Sequence, residues 1–526
     1  MSHTATLAGT RAGRREWVAL AVLALPTLLL SIDLSVLFLA LPRLSADLHA
    51  GSTQQLWIMD IYGFMIAGFL VTMGGLGDRI GRRRLLLIGA SAFSLASVVA
   101  AYSVNAEMLI ITRALMGVAG ASQMPSVLAL ISNIFKDPKQ RGIAVAAWMS
   151  CFVGGTAIGP VVGGVMLQNF WWGSVFLLGV PVMALLLVLG PVLLPEFRDP
   201  SGGRIDLTSV ALSLAAILPV VYGLKEVAKS GLGTAPVVAI AFGAMFCVLF
   251  ARRQATLTNP LFDIRLFANR SFSAPFVVFM IGGAIMGGIY LFVTQYLQMV
   301  EGFSPLRAGL WLLPSSLAMI TSSMLTPGLA RRFGPGNVIA AGMALSAFGF
   351  LLLTLVDSTG GTLPLVAGFV IVGLGSGPYS LCTDLVVGAA PPEKAGSAAS
   401  IAETSAELGI ALGLASLGSV GTAIYRDHLV VPHTVPADVA AAAREGITGA
   451  VSVAGHLPEA VGADLLDSAR VAFTSGLNAA AIFGTVVFAG LTVVATVLLR
   501  HLRPAAPEAE ADAEITPETT AEPCAV

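Results

Sequence analysis

Asp33 is the residue of this 526-residue chain whose position most needs a chemical explanation. It lies in Ser31–Pro42, SIDLSVLFLALP, at the end of an apolar run that starts near Trp17. About 20 such residues cross the hydrocarbon core of a bilayer. A charge placed there costs at least ~2.5 kcal/mol, so it faces a partner or a water-filled cavity and is kept for a task. Asp60 and Arg113 each lie about 5 residues into later apolar runs, counted from the same side, which puts all three within roughly 5 Å in depth at 1.5 Å per residue. Arginine stays charged, so it can hold a neighbouring carboxylate ionised or exchange partners with it. The plainer alternatives are that Asp60 caps its helix near the headgroups and that Arg113 snorkels to the interface.

A second pair sits in IAETSAELGIALG, where Glu403 and Glu407 are four residues apart and share one helical face. Two close carboxylates repel in low dielectric, so one of the pair is expected to carry a proton near neutral pH and the two to titrate as a unit. That is what proton coupling requires; two ordinary acids facing a wet vestibule is the alternative. Asp384 is a weaker candidate for the same role because it lies close to a loop. Trp57, Tyr62, Tyr290 and Tyr296 could supply aromatic faces beside the carboxylates, which suits an organic cation. The alternative for them, Trp57 above all, is membership of an interface belt.

The elements that must position these groups are apolar helices. The chain is 56% hydrophobic and 11% charged, with mean hydropathy +0.86, against about 25% charge in soluble domains. The runs predict fourteen spans: 17–41, 55–76, 84–102, 108–131, 141–166, 173–194, 207–224, 235–251, 273–297, 307–330, 337–355, 363–388, 397–421 and 471–499. The net charge of −1 implies no nucleic-acid partner. Cys151, Cys247, Cys382 and Cys524 form no CxxC pair, so neither a disulfide framework nor a metal site is expected. No cofactor is implied. The first run is too long for a cleavable signal, and no small-residue cleavage site follows it.

Most of the 29 Lys and Arg fall on one side of the predicted spans, as in Arg79, Arg82, Arg83, Arg84, Arg252, Arg253, Arg331 and Arg332. The positive-inside rule then makes both termini cytoplasmic. Lys225 and Lys229 fall in a predicted outside loop, which leaves Arg113 as the one basic residue within a span. Gly74–Leu86, GGLGDRIGRRRLL, and Gly328–Val338, GLARRFGPGNV, are similar loops eight spans apart. A six-helix half repeated after two extra helices gives that offset, and such repeats build transporters with a mid-membrane site between two halves.

The expected organisation is an N-terminal tail (1–16), a six-helix bundle (17–194), two inserted helices (207–251), and a second bundle (273–499) that includes an outside loop (422–470). A disordered tail (504–526) follows. The outside loop reads as two short helices broken near Gly455–Pro458, either a cap without chemistry or a lid, with helix starts at Pro436–Asp438 and Pro458–Glu459. In the fifth span Gly155-x-x-x-Gly159-Pro160-x-x-Gly163-Gly164 places small residues on one face for close helix contact, and Pro160 permits a bend. No GxxxxGK[ST] phosphate loop is present, which disfavours an ATP-driven pump, and nothing indicates an enzyme.

These motifs resemble the fourteen-helix drug:proton antiporters of the major facilitator superfamily, the QacA/SmvA/LfrA type, over all fourteen spans. Gly74-x-Leu76-x-Asp78-Arg79-x-Gly81-Arg82-Arg83 is similar to the family's cytoplasmic loop motif. Leu109-x-x-x-Arg113-x-x-x-Gly117 is similar to its span 4 motif, with Met116 where Gln is common. Gly155–Gly164 resembles its span 5 antiporter motif, Asp33 to Pro42 its span 1 motif and Gln55–Tyr62 its span 2 signature. The resemblance implies a major facilitator fold of two six-helix bundles plus two inserted helices, in a bacterial-type plasma (inner) membrane, acting as a monomer. It implies proton-coupled efflux of lipophilic organic cations: quaternary ammonium compounds, dyes and cationic drugs. Asp33 and Asp60 would attract the cation, and Glu403 and Glu407 would exchange protons. Arg113 would link the two, and Asp78, Arg79 and Arg82 would latch the cytoplasmic gate. Span 10 lacks the acid some relatives carry and has Met319 there, which weighs against divalent cations. Export of an endogenous metabolite, lipid or antibiotic, or a non-transporting scaffold, are the alternatives.

Overall fold

The computed structural model describes residues 12–198, 206–231, 233–257, 264–389 and 395–499. Both predicted tails fall largely or wholly outside them. An apolar chain that must satisfy its own backbone hydrogen bonds in lipid forms helices, and among the described residues no strand occurs. The first group comprises α1 (Arg14–Asp47), α2 (Ser52–Ile80), α3 (Arg82–Ala101), α4 (Ala106–Gly120), α5 (Gln123–Ile134), α6 (Pro138–Asn169), α7 (Ser174–Leu177) and α8 (Gly179–Leu193). The inserted pair is α9 (Leu207–Ser230) and α10 (Thr234–Thr256). The second group begins with α11 (Arg270–Gln295), α12 (Pro305–Phe333), α13 (Pro335–Leu353), α14 (Thr362–Ser376), α15 (Tyr379–Gly388) and α16 (Ala395–His428). The short α17 (Ala437–Glu445) and α18 (Ile447–Ala454) then precede α19 (Glu459–Leu498), which completes it.

Among the described residues thirteen helices, taking α4 with α5 and α14 with α15, are long and apolar enough to cross a membrane; α2, bent by 53° between Leu70 and Thr72, makes the fourteenth. Each group packs mainly on itself: α1 on α6 and α8, α3 on α4 and α8, α13 on α14 and α19, and α11 on α16. The groups meet along α2–α16, α6–α12 and α1–α11. The repeat inferred from the two similar loops has a structural counterpart. The α2–α3 turn passes through Gly81 at φ +111° and the α12–α13 turn through Gly334 at φ +86°. Both lie in the left-handed region that favours glycine.

Several helices run past the expected bounds, α1 to Asp47 and α16 to His428 among them, and two further differences arise because polar residues were read as loop. The seventh span continues to Ser230, so Lys225 lies within α9 rather than in a loop. The last span starts at Glu459, so the long loop contracts to residues 429–458. Helices begin after Pro436 and Pro458 and break at Gly455–Pro458 as expected, and a further break at Gly446, φ +156°, divides the first of them into α17 and α18. At the start of α9, burial opposes the charge of Asp206. Hydrogen bonds from Ser209 and the Arg253 guanidinium nevertheless hold its carboxyl below the ordinary carboxylate range and tie α9 to α10.

The two ends of the molecule are unlike. At the end bearing α17 and α18, the cap end, the groups are in contact. Leu56 covers Gly418, Leu306 covers Gly164, and the backbone of Pro160 meets Gly309. At the end bearing Arg82–Arg84, the basic end, Gly75, Gly142 and Gly328 face open space, as do Gly154 and Gly283 nearer the middle. The two groups are closed on one another at the cap end.

Candidate functional site

Asp33 and Arg113 meet. Arg113 Nη1 donates to Asp33 Oδ2 at 2.7 Å, Nε reaches the Ile58 carbonyl at 3.4 Å, and the guanidinium lies 4.3 Å from the Tyr62 ring centroid. The Arg113 side chain is fully buried, whereas that of Asp33 retains 8% exposure. α4 can bring Arg113 this close because Gly117, one turn on, packs against α2, where a Cβ would stand 2.6 Å from the Tyr62 carbonyl. Arg113 therefore does not snorkel. It is a buried cation on a carboxylate, a pair that is costly to break from one side.

Asp60 does not join this cluster. On α2 it lies two residues from Tyr62, and at about 100° per residue it points to nearly the opposite side. There it pairs with Lys225 Nζ at 2.7 Å, both side chains fully buried. Lys225 Nζ also sits 3.8 Å from the Trp57 ring centroid. The expected cluster of two carboxylates and one guanidinium is thus two separate ion pairs on opposite faces of α2. Trp57 is occupied by the chain's own ammonium, and Arg113 is not the one intramembrane cation. The spacing Trp57-x-x-Asp60-x-x-x-Phe64 was the available signal, because those three share a face that Tyr62 does not.

Glu407 reaches the Tyr62 side of α2 from the second group. It is buried, its carboxylate lies against Gly63, and it lines a cavity with Leu30, Tyr62, Ile66, Met124 and Phe152. This narrow pocket sits one helical turn to the basic side of Asp33 on α1. Glu403 lies on α16 one turn further toward the basic end, but its side chain is outside the described residues. Asp384 is an exposed side chain near the basic end of α15 and is not brought to the cavity.

The remaining aromatics divide. Tyr290 meets Phe38 edge-on at 4.7 Å and Phe369 at 5.8 Å, on the α1–α11 seam between the groups. Tyr296 is removed from the cavity, because its hydroxyl donates to the Asp357 carbonyl at 2.5 Å and lies 3.0 Å from Glu301 at the cap end.

The glycine pattern of α6 makes two close contacts. Gly155, Gly159 and Gly163 face α1 at Ser31, Ser35 and Val36, so they seat the helix that carries Asp33. A Cβ on Gly163 would stand 2.8 Å from Val36 Cγ1. Pro160 and Gly164 face α12 instead. The loop motif binds within the first group. Asp78 pairs with Arg82 at 2.6 Å, Arg82 Nη1 reaches the Pro125 carbonyl at 3.4 Å, and Gly74 also faces Pro125. The Glu196 carboxylate packs against Gly81 and lies near Arg83 and Arg84, and Arg79 is exposed.

At the cap end, Glu445 spans the seam. It accepts from Ser52 N at 3.3 Å, at the start of α2, and pairs with Arg426 of α16 at 3.4 Å. Gln55 Nε2 donates to Thr448 Oγ1 at 2.9 Å. The loop is a folded cap on both groups, and Glu445, Ile447 and Thr448 line a small pocket with Gln55, Leu56 and Phe292. Sequence reasoning missed the Glu445 contact.

Residues 23–414 match the family model for the Major Facilitator Superfamily. The chain is 43% identical over 493 residues to the multidrug efflux pump LfrA of Mycolicibacterium smegmatis, covering 94% of this chain and 98% of that one. It is 35% identical to the methyl viologen resistance protein SmvA of Salmonella typhimurium, covering 87% and 93%. It is 30% identical to the tetracenomycin C resistance and export protein of Streptomyces glaucescens, covering 96% and 95%. Among solved structures, a bacterial homologue of the human lysosomal transporter Spinster aligns with TM-score 0.64 at 15% identity, covering 94% and 100%, which is a likeness of fold.

Proposed function

The chain belongs to the major facilitator superfamily, and from that premise we propose that it is a multidrug efflux transporter that exchanges lipophilic organic cations for protons. It is a multi-pass membrane protein and not an enzyme. The bias of basic residues supports placing the basic end in the cytoplasm of a bacterial inner membrane. On that orientation the cap end, where the groups meet, faces outside, and drug would enter from the cytoplasm.

The observation that carries the reading is the Asp33–Arg113 pair stacked on Tyr62, the ring that also lines the pocket of Glu407. A lipophilic cation entering the cavity meets an aromatic face and two carboxylates contributed by opposite groups. Its charge competes with Arg113 for Asp33 and with a proton for Glu407. Outward opening then carries the cation across, and proton uptake from outside releases it. Each charge moved through 100 mV yields ~2.3 kcal/mol, and the pH gradient adds to it. Asp78 and Arg82 would engage the second group when the basic end closes.

Export of an anion is less well supported. Arg113 and Lys225 are both inside the membrane, but each is already matched to a carboxylate. The test is ethidium efflux from energised cells with and without a protonophore. Expression should accelerate efflux, the protonophore should abolish the gain, and Asp33→Asn should insert normally yet fail to export. Accumulation unchanged by expression refutes the reading.

A further inference from the structure

The Lys225–Asp60 pair has no part in the cavity, yet it is as deeply buried as any charge in the described residues. It also marks an asymmetry in how the inserted helices are held. α9 lies across the α2–α16 seam and touches both groups, but with different chemistry. Toward α2 it presents Lys225, whose ammonium is held by the Asp60 carboxylate at 2.7 Å and by the Trp57 face at 3.8 Å. Leu214, three turns away, covers Gly68 of α2, where a Cβ would stand 2.8 Å from Leu214 Cδ2. The α16 residues of the shared apolar cluster are aliphatic: Leu408, Ala411, Leu412 and Ala415 pack with Ile217, Leu218 and Val221 of α9, and α2 adds Trp57 and Phe64. A buried ion pair has one geometry and is costly to break from one side. Small aliphatic surfaces are non-directional and can shift past one another at little cost.

We propose that Lys225 is a positioning residue, and that its pair with Asp60 fastens the inserted helices to the first bundle so that they travel with it and slide on α16 as the bundles rock. This rests on the rocking-bundle transport proposed above. It gives Asp60 a role distinct from that of Asp33, since its charge is spent on the chain's own ammonium. It also accounts for an ion pair placed behind α2. Without it, a helix pair that touches both bundles would have no reason to follow either.

The test has a transport arm and a distance arm. In the first, ethidium efflux is measured for Asp60→Asn, Lys225→Met and the exchange Asp60→Lys/Lys225→Asp. Each single variant strands one buried charge and should lose about tenfold or more in maximal rate with little change in KM. The exchange should recover efflux to within about threefold, because it keeps the fastening. An exchange variant as inactive as Asp60→Asn, though correctly inserted and as heat-stable as wild type, overturns the proposal and returns Asp60 to direct contact with substrate or proton.

In the second arm, spin labels go on the exposed positions Tyr222, Val104 and Val420 of a cysteine-free protein in nanodiscs, with and without tetraphenylphosphonium. As the Val104–Val420 distance changes, Tyr222–Val104 should stay fixed and Tyr222–Val420 should change. The reverse pattern overturns the proposal. If wild type exports no ethidium, the substrate reading fails, and the distance arm still decides the fastening.

Discussion

Replacing Arg113 with Met keeps much of the side-chain length and removes the charge. Three interactions disappear: the 2.7 Å bond to Asp33, the 3.4 Å contact with the Ile58 carbonyl and the stacking at 4.3 Å on Tyr62. Breaking a buried pair from one side costs about 3–5 kcal/mol, because the remaining carboxylate is left in low dielectric. Arg113→Met should therefore insert but lose thermal stability and fail to drive efflux against a gradient. Asp33→Asn/Arg113→Met should be at least as stable as Arg113→Met and equally inactive. The assays are thermal unfolding of the purified protein and proton-driven ethidium transport in inverted vesicles. Full transport by Arg113→Met at unchanged stability would refute the assignment of the pair to coupling.

Gly159→Val should place a branched side chain against Ser35 and Ile32, cost about 1–3 kcal/mol by overpacking, and lower both thermal stability and efflux, whereas the same change at Gly154, which faces open space, should be mild. Joining Ser52→Cys to Glu445→Cys with a short thiol cross-linker should hold the cap end shut and stop transport; unchanged transport in the cross-linked protein would show that the cap does not move. Met319→Glu should raise transport of dications relative to monocations, read as the ratio of their efflux rates; an unchanged ratio removes Met319 from selectivity.

The membrane spans were legible because an apolar run has one solution in lipid, and the repeat was legible because both turns need a glycine at positive φ. Asp33 and Arg113 could be matched from depth alone. Depth was not enough for Asp60, since it fixes a level in the membrane but not a direction around the helix. Lys225 was hidden for a different reason: the string LKEVAKS reads as the polar end of a span, and only the packing of α9 on α2 makes its first lysine interior. Glu459 to Arg470 read as loop by its charges, although one face of that stretch buries Leu465 and Ala469. The Glu445 contact joins residues 393 apart in sequence, and no local pattern announces it.

The central claim is that a cation drawn by the Asp33 carboxylate displaces a proton from Glu407. It is tested most directly by adding tetraphenylphosphonium to purified protein in weakly buffered detergent and following proton release with a pH dye. Wild type should release protons in step with binding, and Glu407→Gln should release measurably fewer. Binding by wild type with no proton release, or an identical release from Glu407→Gln, would contradict the account.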